Sequence, residues 1–338
     1  MSRVADVLIK LLRVYSPNGK ERTLEDELVR IARELGLEAH SDPVGNVIAE
    51  RGDARVALVG HYDTVPGELE VVISGGEVRG RGAVDAKGPL ASMLVAASLS
   101  SCPVMVAALA DEEGESRGAL SLLERGIPDY VIVGEPSNAS GVVISYRGSA
   151  RLILECRGRG GHSSHPGDSA IDKLIDSLSS IRGYGFPGAS LSVIRVQGGS
   201  PFSVLPKSAS AELDLRFSGR GDAHVIAEEI SKLIREGCEA RLRRVTEPVS
   251  VKPSDPVPRA LMRAILSSGA RPKLLRKYGT SDMNLLASKA RSIAAYGPGR
   301  SELAHTDEEA ISLDELEFSV GVYLRALEYL CGGPQRGP

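Results

Sequence analysis

The sequence predicts an α/β chain in which a smaller α+β domain interrupts a larger one built on a mostly parallel, mixed sheet. Three observations carry this expectation. Short β-branched apolar runs alternate with helical stripes up to about Val133, the pattern of strands joined by crossover helices. From about Ser149 the order becomes β, α, β, β, α and a last strand, as in a ferredoxin-like sandwich. The proline-rich stretch Glu247–Pro258 then reads as a linker back to the first domain. The expected boundaries are 1–148 with 251–338 for the first domain and 149–250 for the insertion.

Each element has its own signal. Val4, Val7, Leu8, Leu11 and Leu12 recur at helical spacing among Arg3, Asp6, Lys10 and Arg13, which predicts an amphipathic helix rather than the apolar run of a signal peptide. Leu24, Leu28, Ile31 and Leu35 form a second stripe that stops at Gly36. Strands are expected at 56–59, 104–109 and 130–133, with helices at 90–99 and 120–123 between them. In the insertion, strands are expected at 151–156, 190–196, 209–217 and near 240–245, and helices at 171–181 and 225–234. Ser292–Tyr296, leading to the Gly297-Pro298-Gly299 loop and His305, returns the chain to the first domain.

Composition narrows the function. The 338 residues are 42% hydrophobic and 25% charged, enough for two domains of ordinary size. A formal net charge of -3 and a pI near 6.1 give no global footprint for nucleic acid, and no stretch approaches the roughly 18–20 apolar residues of a membrane span. A cytoplasmic protein with neither partner is expected. Cys102, Cys156, Cys238 and Cys331 are scattered without a CxxC pair and are expected to be buried or incidental thiols. Any metal site must then use histidine and carboxylate. Two glutamines and four asparagines are few, which is compatible with a thermophilic source.

Five loop-like stretches carry the chemistry: Gly60-His61-Tyr62-Asp63-Thr64, Gly80-Arg81-Gly82-Ala83-Val84-Asp85, Asp111-Glu112-Glu113-Gly114, Gly134-Glu135-Pro136 and Ala304-His305-Thr306. Several directly follow an apolar run, which places their side chains together at the ends of neighbouring strands. Taken singly, each has an ordinary reading as a turn, a cap or a solvated charge. Together they suit two zinc ions, or Co²⁺ or Mn²⁺ in the same ligands, with one carboxylate between them. Adjacent Glu112 and Glu113 make sense if one binds metal and the other takes a proton from water.

The order and identities of these motifs resemble the dinuclear zinc amidohydrolases and peptidases that include acetylornithine deacetylase, succinyl-diaminopimelate desuccinylase and carboxypeptidase G. The resemblance runs over nearly the whole chain. It implies a zinc-peptidase-like catalytic domain and an inserted domain that serves as dimerisation surface and lid. It implies His61, Asp85 and Glu135 on one ion and Asp85, Glu113 and His305 on the other, with Asp85 shared and Glu112 as general base. Asp63 would orient His61, and the Asp85–Ala86 peptide would be cis. His162, in Gly158-Arg159-Gly160-Gly161-His162, would reach the active site of a dimer partner and donate to the oxyanion. Arg216, Thr280 and Ser281 match segments near the substrate, while Ser203 stands where many members carry asparagine.

Val133–Ser137, Tyr278–Asn284 and Ala295–Gly299 look closest to the branch that releases lysine or ornithine from the terminal γ-glutamyl group of an amino-group carrier protein, LysW. This implies a carboxypeptidase-like role in lysine and arginine biosynthesis. Such a carrier is acidic, and Arg241, Arg243, Arg244, Arg276 and Lys277 are candidates to meet it. Acetylornithine deacetylase, succinyl-diaminopimelate desuccinylase and dipeptidase activities are the alternatives on the same fold. A catalytically silent binding protein is the remote one, and an intact general base argues against it.

Overall fold

The computed structural model describes residues 2–332. The chain divides into two compact units, one of Met1–Ser145, Ser250–Arg276 and Ser281–Pro338, the other of Tyr146–Val249 and Lys277–Thr280. The strands in chain order are β1 (Glu38–Ser41), β2 (Val47–Arg51), β3 (Val56–His61), β4 (Val72–Ser74), β5 (Glu77–Arg79), β6 (Val104–Leu109), β7 (Tyr130–Gly134) and β8 (Gly141–Tyr146). They continue as β9 (Gly148–Arg157), β10 (Gly161–His162), β11 (Ser190–Gly198), β12 (Val204–Leu205), β13 (Ser208–Phe217) and β14 (Cys238–Thr246). The chain closes with β15 (Val249–Ser250), β16 (Lys273–Lys277), β17 (Ser292–Tyr296) and β18 (Ala310–Ser312).

The first unit is organised by a mixed sheet ordered β1-β2-β6-β3-β7-β17-β8-β15, with β16 paired to β8. Its centre is parallel, since β3 pairs in parallel with β6 and β7, and β7 with β17. Antiparallel pairs flank it, β2 with β6 on one side and β8 with β17 on the other. Every residue of β3, β6 and β17 is buried, as expected of strands covered on both faces. The helix Lys87–Leu99 is buried on all sides from Lys87 to Ala97, so its sequence shows a solid apolar run rather than a stripe. The helix Arg3–Leu12 packs Val4, Leu8 and Leu11 into the same core.

The second unit is a four-stranded antiparallel sheet ordered β11-β13-β9-β14. In β9, Ala150, Leu152, Leu154 and Cys156 point inward while the intervening residues do not, and β13 alternates in the same way from Ala209 to Phe217. The helices Ala170–Tyr184 and Asp222–Leu233 cover that apolar face with Leu174, Ile181, Ile226 and Ile230. Edge strand β11 is exposed at almost every position, including Val193, Ile194 and Val196.

The expectation of four thiols is overturned. Cys102 is bonded to Cys331 and Cys156 to Cys238, leaving no free cysteine. Cys156 and Cys238 lie directly opposite each other on the paired strands β9 and β14, with Cα atoms 4.0 Å apart. Cys102, just ahead of β6, meets Cys331 at the end of the helix Leu313–Cys331 with a Cα separation of 5.9 Å. Separations of 229 and 82 residues hid both pairs from any reading of local spacing.

Candidate metal centre

Four adjacent parallel strands deliver the candidate residues from their carboxyl ends, where open α/β sheets place their sites. His61 is the last residue of β3, Asp111 to Glu113 follow β6, Glu135 follows β7, and β17 feeds the loop that reaches His305. Asp85 comes from the loop that enters the helix Lys87–Leu99, and the Asp85–Ala86 peptide is cis. Gly82 in that loop has φ +89°, and a Cβ there would sit 2.8 Å from Thr64 Cγ2, so only glycine fits without displacement.

Asp85 stands between the two imidazoles. Its Oδ1 lies 3.1 Å from His61 Nε2 and its Oδ2 3.3 Å from His305 Nε2, while His305 Nε2 is 2.7 Å from Glu113 Oε1. Ligand atoms of His61, Asp85 and Glu113 all fall within 4.8 Å of one another. Two imidazole nitrogens on opposite oxygens of one carboxylate, with a further carboxylate beside them, form a donor set that fits divalent ions bound through nitrogen and oxygen.

Buried Asp63 organises the surroundings. The other nitrogen of His61, Nδ1, is 2.9 Å from the Asp63 carbonyl and 3.5 Å from its carboxylate. The two Asp63 oxygens accept the backbone N–H groups of Glu112 and Glu113, each at 3.1 Å, and Asn18 Nδ2 donates to Asp63 and Asp111. One residue thus sets both the ring of His61, chiefly through its carbonyl, and the Glu112–Glu113 turn, through its carboxylate. Sequence reading missed Asn18, whose partners lie 45 and 93 residues away.

The electrostatics separate the carboxylates. Burial would raise the Asp85 carboxyl, but hydrogen bonds to His305 and His61 hold it well below the usual range. Asp63 is likewise lowered against burial, chiefly by His61. Glu112 goes the other way: desolvation lifts it well above the carboxylate range, opposed by His61 and reinforced by the charges of Asp282, Glu135 and Glu113. Hydrogen bonds to Asp85 and Glu113 push His305 up to about 10, and His61 rises despite its burial through Asp63 and Asp85. A high-pKa carboxyl beside low-pKa ones is the division expected of a proton carrier among ligands.

The remaining candidates sit as follows. Glu135 is buried and near enough to raise Glu112. Ser281 caps the short helix Asp282–Leu286, its hydroxyl accepting from Met283 N at 3.2 Å, while Asn284 Oδ1 accepts from Ser281 N. In the second unit, Arg216 binds Asp214 Oδ2 at 2.9 Å and reaches Thr280 Oγ1 at 3.4 Å. His162 is exposed on the two-residue strand β10, its Nδ1 2.7 Å from Ser164 Oγ.

Residues 57–329 match the model of peptidase family M20/M25/M40, and the chain belongs to that family. Its members share the α/β fold with a mixed sheet seen here: the dinuclear metal-binding M20 peptidase YXEP of Bacillus subtilis superposes with a TM-score of 0.77 at 16% identity, over 98% of each chain. Among curated relatives, the LysW-lysine/LysW-ornithine hydrolase of Sulfurisphaera tokodaii is 36% identical over 97% of this chain and 96% of its own. A protein of Aeropyrum pernix, provisionally given the same hydrolase name, is 41% identical over the same shares of both chains.

Proposed function

We propose that this protein hydrolyses the amide joining lysine or ornithine to the terminal γ-glutamyl group of an acidic amino-group carrier protein, in lysine and arginine biosynthesis. The observation that carries the reading is end-to-end similarity to relatives with that activity in their names, at 36–41% identity. His61, Asp85 and Glu135 would hold one divalent ion and Asp85, Glu113 and His305 the other, zinc first, with Co²⁺ or Mn²⁺ suited to the same donors.

Held there, such ions would supply Lewis acidity for the scissile carbonyl and lower the pKa of the attacking water. Glu112 takes the proton of that water and passes it to the departing α-amine, a task that its raised pKa suits. Asp63 keeps His61 in one orientation. His162 of the partner subunit donates to the developing oxyanion, and Arg216, Thr280 and Ser281 contact substrate.

A homodimer follows from the role given to His162, and the free edge of β11 with exposed Val193, Ile194 and Val196 is the surface proposed for it. For the carrier, Arg276 and Lys252 line one groove with Ile144 and Leu274, a basic and apolar surface suited to an acidic protein. Arg241 is a weaker candidate because Glu239 already pairs with it at 2.7 Å. No helix among the described residues is long and apolar enough to cross a membrane. A cytoplasmic place is proposed, and two disulfides agree with it if the source is hyperthermophilic.

The test is hydrolysis by metal-loaded enzyme of carrier-linked lysine and ornithine, with acetylornithine, succinyl-diaminopimelate and dipeptides in parallel. Release from the carrier alone supports the reading. Turnover of acetylornithine alone would keep the chemistry and replace the substrate.

A further inference from the structure

Glu309 lies four residues beyond His305 and is 1% exposed. Its Oε1 accepts three backbone N–H groups of the Asp85 loop, from Gly82 at 3.1 Å, Val84 at 3.0 Å and Asp85 itself at 3.1 Å. Its own carbonyl accepts from Gly80 N at 3.1 Å. The other carboxylate oxygen, Oε2, accepts from Arg81 Nη1 at 3.0 Å. Arg81, 6% exposed, also donates to the Gly67 carbonyl at 2.7 Å, the Thr306 carbonyl at 2.9 Å and, at its margin, Asp307 Oδ1 at 3.5 Å.

The consequence is geometric. One buried guanidinium–carboxylate pair is bonded both to the loop that carries Asp85 and to the residue beside His305. A buried carboxylate is costly unless its lone pairs are filled, and here backbone amides and Arg81 fill them, so the arrangement has few alternatives of similar energy. His305 has φ +65°, a conformation that few non-glycine residues adopt, and the Thr306 carbonyl next to it is anchored by Arg81.

We infer that Glu309 and Arg81 are positioning residues of the metal centre, fixing Asp85 and His305 relative to each other before any ion binds. This rests on the ligand roles of Asp85 and His305 and is independent of the carrier substrate. Sequence reading missed Glu309, because its acceptor role depends on amides about 225 residues away.

The test is Glu309→Gln, which keeps size and shape. The amide oxygen of Gln can face the three N–H groups or Arg81, so one set of donors is left against an NH₂. Cobalt titration of the apoprotein should show at least one equivalent bound ~10–100-fold more weakly than in wild type, with an altered visible spectrum. Amide exchange at Gly82, Val84 and Asp85 in the apoprotein should quicken, and kcat should fall ~10–100-fold with KM within about twofold. Asp307→Asn, at an exposed side chain 3.5 Å from Arg81, is the control and should leave the cobalt titration unchanged.

Unchanged cobalt affinity, spectrum and loop exchange with only a lower Tm would make Glu309 a structural residue and overturn the inference. If Glu309→Gln does not fold, Arg81→Lys is read in the same way, since it keeps the charge but loses the fork that spans Gly67, Thr306 and Glu309. Failure of both to fold would assign the pair to the fold and also overturn it. A wild-type apoprotein that takes up no cobalt would refute the metal centre itself, a separate result.

Discussion

The loops at the carboxyl ends of β3, β6, β7 and β17 differ sharply from the loop that carries His162. Around Asp85 the supporting groups are buried and engaged: Glu309 holds three amides of its loop, Asp63 holds two of the neighbouring turn, and buried His61 and half-exposed His305 bracket the carboxylate. His162 instead sits exposed on a two-residue strand beside Ser164 and the tilted ring of His165. The first region lies within one unit of one chain. On the proposed reading, pre-organisation belongs to the candidate metal centre, and assembly to the oxyanion contact proposed for His162.

Breaking the ordered side should have the largest effect. Glu112→Gln should cut turnover by about 10²–10⁴-fold while leaving metal content unchanged, because it removes the proton carrier and no ligand. A rate near wild type would assign the base elsewhere. On the exposed side, His162→Ala should lower kcat by about 10²–10³-fold without altering metal content or Tm. Mixing it with Glu112→Gln chains sharpens the comparison: heterodimers should recover activity, since one site then has both an intact Glu112 and a partner histidine. No recovery would place His162 in its own subunit's chemistry or outside it.

Much of this was legible in the sequence, and for a stated reason. The runs at 56–59, 104–109 and 130–133 are apolar because both faces are covered, and each is followed two positions on by the polar residue that it delivers, His61, Asp111 and Glu135. The hairpin β1–β2 and the small sheet β18-β5-β4 were not visible, since strands of three to five residues, some exposed, carry little pattern. The sequence shows the helix Lys87–Leu99 only from Leu90, because Lys87, Gly88 and Pro89 in its first turn carry no apolar signal. Asn18, Arg81 and Glu309 act through partners far along the chain, and the cysteine pairs have the same character.

The ordered centre also makes a prediction about protons. Hydrogen bonds to Asp85 and Glu113 raise His305 to about 10, so in the metal-free protein at neutral pH its imidazole is cationic and an ion bound there would displace a proton; His61 is raised too, through Asp63 and Asp85. Metal affinity should rise with pH by up to about tenfold per unit for each displaced proton, levelling off as pH passes the raised pKa values. Calorimetry in buffers of different ionisation enthalpy measures that release, and zero protons released at pH 7 would contradict the assigned ligands.

Smaller still is the contribution of the two disulfides. Reduction, or Cys102→Ser with Cys331→Ser, should destabilise by about 2–4 kcal/mol and lower Tm, leaving kcat within about twofold, since neither pair touches the candidate site. Replacing Cys156 and Cys238 in the same way should loosen β14 against β9 and spare metal binding. A change in metal stoichiometry with either pair would tie the staples to the centre after all.

The most direct measurement is the number of zinc ions per subunit after reconstitution and removal of excess, in wild type, Glu112→Gln and Glu135→Ala. The expected result is two, two and a loss confined to one of the two ions, with activity in wild type alone. One ion or none in wild type, or two retained in Glu135→Ala, would contradict a centre assembled from the ends of four parallel strands around Asp85.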